Sequence, residues 1–90
     1  MDSRAATWSV RESTLHLVGP VSRLHAAHLW QSLPREGYSV VDIGGVTQLD
    51  TVGLALMLEL TDAVAESTGA LPRIVNATAT YNSLCAAYRL

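Results

Sequence analysis

Hydrophobic and polar positions change period several times along this chain, and the changes mark its elements. Thr7 to Arg11 (TWSVR) and Thr14 to Val18 (TLHLV) alternate and are rich in β-branched residues, which predicts two strands. The polar pair Glu12-Ser13 between them suits a hairpin turn. Gly19-Pro20 is expected to break the second strand. Val21 to Leu33 places Leu24, Ala27, His28 and Leu29 near helical spacing, with Ser22 as a possible N-cap. Pro34 ends that helix, because the residue before proline is pushed out of the α region.

Tyr38 to Ile43 is an apolar run of strand length and reads as a central strand buried on both faces. Gly44-Gly45 then predicts a tight loop. A helix is expected from about Thr51 to Thr68, stopped by Gly69. Leu71 to Val75 is a last strand, and Thr78 or Thr80 caps a final helix to about Arg89. The order ββαβαβα implies an α/β fold, a mixed sheet packed with helices joined by right-handed crossovers. Residues 1–90 read as one domain, without repeats or low-complexity segments.

The helix over 51–68 carries more apolar surface than its own core requires. Glu59, Asp62 and Glu66 share a narrow stripe with Ala55, and the remaining arc spans roughly 220°, where a surface helix needs about 100°. One half of that arc packs on the sheet. The other half packs on neighbouring helices or meets a partner, with Leu56, Leu60 and Ala63 as the expected contact. Asp50 and Thr51 stand at the helix start. They read either as an N-cap or, for Thr51, as a docking or switch hydroxyl. A phosphate on Thr51 would suit the helix N-terminus but would set about two negative charges beside Asp50 and repel an apolar partner.

Composition narrows the function. The chain is 49% hydrophobic and 16% charged with a net charge of −2, which is ordinary for a globular domain. Its cations, Arg4, Arg11, Arg23, Arg35, Arg73 and Arg89, are scattered and form no stripe for a phosphate backbone, which argues against nucleic-acid binding. A single cysteine, Cys85, excludes an internal disulfide and fits a reducing compartment. Met1-Asp2-Ser3-Arg4 leads into polar sequence, which is unlike a signal peptide. The apolar run around Leu54 to Leu58 falls far short of the roughly 20 residues a membrane span needs. The expectation is a cytoplasmic protein that reaches a membrane only through a partner.

Catalytic signals are weak. His25 and His28 lie three apart as a conceivable metal edge, but no carboxylate or cysteine stands near them in sequence, and His16 is on another element. Surface or packing histidines are the simpler reading. Asp42, Asp50 and a histidine could be grouped as acid–base machinery, yet nothing supplies a nucleophile elbow or a phosphate loop. No enzyme, cofactor or metal is expected. Trp8 reads as core or edge cover. Trp30, near the end of its helix, reads equally as packing or as an interface anchor. Tyr81, Leu84 and Tyr88 share a face of the last helix, with core as the default and interface as the alternative. Cys85 is expected to be a small buried hydrophobe.

Strand Val40-Val41-Asp42-Ile43, the short loop, and then Leu49-Asp50-Thr51-Val52-Gly53-Leu54 opening a helix resemble the STAS domain. Its pattern is a buried strand ending in Asp, a loop, and hydrophobic-Asp-Ser/Thr-small-Gly-Leu. Within that family Asp50 to Leu58 followed by Asp62-Ala63, the Leu29-Trp30 pair, and Tyr81, Leu84, Tyr88 and Leu90 are most similar to the STAS subunits of Mla-type phospholipid ABC transporters. The resemblance implies a non-enzymatic subunit that binds and supports the transporter ATPase, with Thr51 in the contact. The transporter would move phospholipids and maintain outer-membrane lipid asymmetry.

Asp50, Thr51, Val52, Leu56, Trp30 and Tyr88 are the expected partner-binding residues. The other relatives, anti-sigma factor antagonists, imply phosphorylation of Thr51 by an anti-sigma kinase. Val52 departs from the small residue usual at its position and is expected to crowd the hydroxyl against a kinase. A homodimeric scaffold using the same helix surface is a third possibility.

Overall fold

The computed structural model describes residues 6–88. Met1 to Arg4, and Arg89 and Leu90 of the sequence reading, lie outside the described residues. The elements are β1 (Thr7–Arg11), β2 (Thr14–Val21), α1 (Arg23–Ser32), β3 (Val40–Leu49), α2 (Thr51–Thr68), β4 (Arg73–Val75) and α3 (Ala79–Tyr88). The strands form one mixed sheet in the order β1-β2-β3-β4. β1 and β2 are antiparallel, whereas β2–β3 and β3–β4 are parallel. This is the α/β architecture that alternating strands and helices predict.

Local chemistry explains the joints. Glu12 and Ser13 have φ of 52° and 63°, so the β1–β2 turn is a two-residue turn with both central residues left-handed, the type whose twist matches a hairpin. Leu33 ends α1 in an extended conformation immediately before Pro34. Gly69 closes α2 with φ 88°, and its N–H donates to the Ala65 carbonyl. The Thr78 hydroxyl accepts from the Tyr81 N–H at 3.1 Å and caps α3.

Two expected breaks are not breaks. β2 runs through Gly19-Pro20 to Val21, and β3 runs through Gly44-Gly45 to Leu49. The β2–β3 register shifts between His16 and Val18 and again between Gly19 and Pro20. Both shifts place extra residues on β3, so the glycines and the proline sit at bulges. Gly45 belongs there for a steric reason: a Cβ on it would meet Val18 Cγ2 at 3.0 Å and the Leu17 carbonyl oxygen at 3.2 Å.

The expectation that β3 is buried on both faces is also corrected. Val41, Ile43 and Val46 are buried, but Val40 and Asp42 are half-exposed. The cause is a sheet covered on one face. Leu15, Leu17, Val41 and Ile43 point into the core with Leu29, Met57, Leu60 and Val64 from α1 and α2. Their strand neighbours Thr14, His16, Val40 and Asp42 line the other, open face. α3 reaches the core through Tyr81, which is half-buried. The β4 strand starts at Arg73, and Leu71 is exposed rather than paired.

Candidate functional site

The Asp50 carboxylate sits where two helices begin. One oxygen, Oδ1, accepts from the Gly53 N–H at 2.8 Å and caps α2. The other, Oδ2, accepts from the Arg23 N–H at 3.0 Å, at the first residue of α1. Ser22 stands at the N-cap of α1 but its side chain makes no capping bond; its hydroxyl faces His25 Nδ1 at 3.4 Å. Asp50 therefore does the work expected of Ser22 as well as its own, and the two positive helix ends share one anion. Burial pushes the Asp50 carboxyl up, but hydrogen bonds from Gly53, Arg23, Val52 and its own backbone outweigh this and hold it below the usual carboxylate range.

With Asp50 as cap, the hydroxyl of Thr51 is left over. Thr51 is exposed, and its side chain has no hydrogen-bond partner among the described residues. Helical geometry carries the exposed line on through Val52, Ala55, Glu59, Asp62 and Glu66, so the stripe read from the sequence is the solvent side of α2.

Shallow grooves flank this line. Between α1 and α2 a groove of about 370 Å³ is lined by Ala26, Ala27, Trp30, Val52, Leu56 and Glu59, among others. On the α3 side a groove of about 290 Å³ is lined by Thr51, Leu54, Ala55, Leu58 and Tyr88. Arg35 fixes Trp30: its guanidinium lies 4.2 Å from the indole centroid, and it donates to the Trp30 carbonyl at 3.3 Å.

The six residues expected at a partner contact thus gather around the N-terminal half of α2, though in different roles. Thr51, Val52 and Tyr88 are exposed, the last at 57%. Trp30 is half-buried. Leu56 is buried and forms a groove floor. Asp50 is committed to the helix starts.

Several expectations are corrected. Leu56 and Leu60, read as an interfacial arc with Ala63, are 6% and 0% exposed, because that arc faces the sheet and α1. Tyr88 is not core; no residue of α3 is buried, and Cys85 is only half-buried. Val52 lines the α1 groove and Thr51 the α3 groove.

Ala55 lines both grooves but is not among the six expected residues. Its place between the grooves could have been found from its spacing of four from Thr51. The Asp50–Arg23 bond had no local signal.

Asp42 and Asp50, grouped in the sequence as conceivable acid–base partners, are not brought together. Asp42 meets His16 on the open sheet face, with Nδ1 and Oδ2 3.5 Å apart, while Asp50 lies beyond the far end of β3. The Gly44 N–H, then the Asn76 side chain, lower the Asp42 carboxyl below its usual range, with a smaller contribution from His16. His28 is exposed and His25 turns to Ser22. Among the described residues no three His, Cys, Asp or Glu side chains gather as a metal site. No helix of the described residues is long and apolar enough to cross a membrane. No protein-family model matches the chain, and no curated protein matches it.

Proposed function

We propose that this chain is a STAS-type, MlaB-like adaptor, a non-enzymatic cytoplasmic subunit that binds and supports the ATPase of a phospholipid ABC transporter. It reaches the inner membrane only through that MlaF-like partner. One observation carries the reading: the exposed Thr51 hydroxyl, without a hydrogen-bond partner among the described residues, stands with Val52 and Ala55 between two mainly apolar grooves, with Trp30 and Tyr88 at their walls. Shallow apolar grooves with aromatic walls suit a protein partner better than a small substrate. Binding would support the ATPase by favouring one of its conformations, which requires tighter binding to that conformation than to others.

Thr51 variants test the reading. Thr51→Ala removes one hydroxyl, so affinity should fall by up to about tenfold. Thr51→Glu should abolish capture of an ABC ATPase from source cells. A carboxylate in the first helical turn is favourable for α2 itself, so the variant should stay folded, as circular dichroism would verify. Capture of the ATPase by Thr51→Glu as efficiently as by wild type would sink the reading.

The exposure of Thr51 also favours a second reading, a phospho-switch antagonist in transcriptional control, since a kinase could reach the hydroxyl. Recovery of an anti-sigma kinase with no ATPase, and phosphate on Thr51, would decide for it.

A further inference from the structure

The sheet has two edges, and they are built differently. β4 is three residues long and follows Pro72, so little backbone is offered there. Short strands and proline are common guards against edge pairing. β1 has neither. It is five residues long, pairs with β2 in unbroken register and contains no proline, lysine or bulge. Among the described residues, no other strand pairs with its free side.

The turn fixes which groups that free side offers. In a two-residue hairpin the residues flanking the turn form a hydrogen-bonded pair, here Arg11 with Thr14. Arg11, Ser9 and Thr7 therefore spend their N–H and C=O groups on β2. Trp8 and Val10 aim theirs outward. We infer that this edge pairs with the same edge of a second copy of the chain, antiparallel and centred on Ser9, joining two sheets into one.

In that register Trp8 of each copy lies opposite Val10 of the other, and the outward groups of these residues bond to one another. The same pairing sets aromatic against β-branched side chains on the helix-bearing face, where Trp8 is half-buried and Val10 is 38% exposed. On the open face Arg11 meets Thr7 of the other copy and Ser9 meets Ser9, so no like charges are opposed. The contact leaves the α2 surface free. It is therefore independent of the proposed function and differs from a scaffold built on that helix.

Sedimentation of the purified chain from micromolar to millimolar concentration tests this, combined with amide exchange. The expected result is a rise from monomer to dimer mass, with Trp8 and Val10 amides exchanging more slowly as the dimer forms. Val10→Pro removes an outward donor without touching the β2 ladder. It should keep the wild-type circular dichroism and stay monomeric at every concentration. Amide protection in the wild-type chain decides the matter even if that variant fails to fold. Monomer mass throughout would overturn the inference. So would a dimer whose Trp8 and Val10 amides stay unprotected, or one lost in Val52→Glu and retained in Val10→Pro, which would move the contact to α2.

Discussion

Helices α2 and α3 are both rich in apolar residues and lie side by side, yet they are held very differently. α2 buries Gly53, Leu54, Leu56, Met57, Leu60 and Val64, and both its ends are capped. α3 buries none of its residues, although Tyr81, Leu84, Cys85 and Tyr88 are available. The difference is position. α2 lies over the middle of a one-sided sheet and shares its core with α1, whereas α3 touches that core through Tyr81. Apolar composition supplies what can be buried, and the sheet beneath decides what is.

Truncating one leucine on each helix is the strongest way to break this comparison. Leu60 is 0% exposed, so Leu60→Ala should destabilise the domain by about 2–5 kcal/mol through lost transfer energy and a residual cavity. Leu84 is half-exposed, so Leu84→Ala should shift stability by about 1 kcal/mol or less. Urea unfolding of the two variants checks both. Equal losses would mean that α3 is anchored as firmly as α2.

A smaller effect is expected at the place where α2 meets the sheet. A Cβ on Gly53 would fall 1.9 Å from the Val21 carbonyl oxygen, and backbone cannot rotate away as a side chain can. Glycine is required here by close approach, because Gly53 lies inside α2. Gly53→Ala should push the start of α2 off the end of β2. The expected loss is about 1–3 kcal/mol despite alanine's better helix propensity. Thermal unfolding provides the measurement, since each 1 kcal/mol shifts the midpoint by about 4–8 °C in a domain of this size. A midpoint unchanged or raised would show that α2 can retreat freely.

Much of this contrast is legible in the sequence where the controlling signal is local. Asp50 and Gly69 bracket α2 because cap chemistry depends on a few adjacent residues. The exposed stripe of Ala55, Glu59, Asp62 and Glu66 follows from helical period alone. What depends on tertiary register is not legible. Gly44-Gly45 and Gly19-Pro20 read as loop and breaker, and only the β2–β3 offset turns them into bulges within strands. Leu56 and Leu60 cannot be told from interface residues until the direction of α1 and the sheet is known. The expected site residues rest partly on a family pattern. Their gathering around one end of α2 follows from chain crossings that no spacing encodes.

The finest test separates the caps of the two helices by pH. Thr78 caps α3 with a hydroxyl that does not titrate, whereas Asp50 caps α2 and bridges to α1 with a carboxylate. The folded pKa of Asp50 is lowered, so its contribution is fully present above the ordinary carboxylate range and is lost as pH falls through the depressed folded value. Asparagine can keep the cap but not the charge, so Asp50→Asn should lose about 1 kcal/mol at neutral pH. In urea titrations at decreasing pH, the gap between wild type and Asp50→Asn should close on acidification. Asp42, whose pKa is also lowered, remains in both chains and cancels. Thr78→Ala should lose about 1 kcal/mol by the same measurement, and that loss should not vary with pH. A gap for Asp50→Asn that stays constant into acid would mean that the carboxylate holds the two helix starts by geometry alone, with no contribution from its charge.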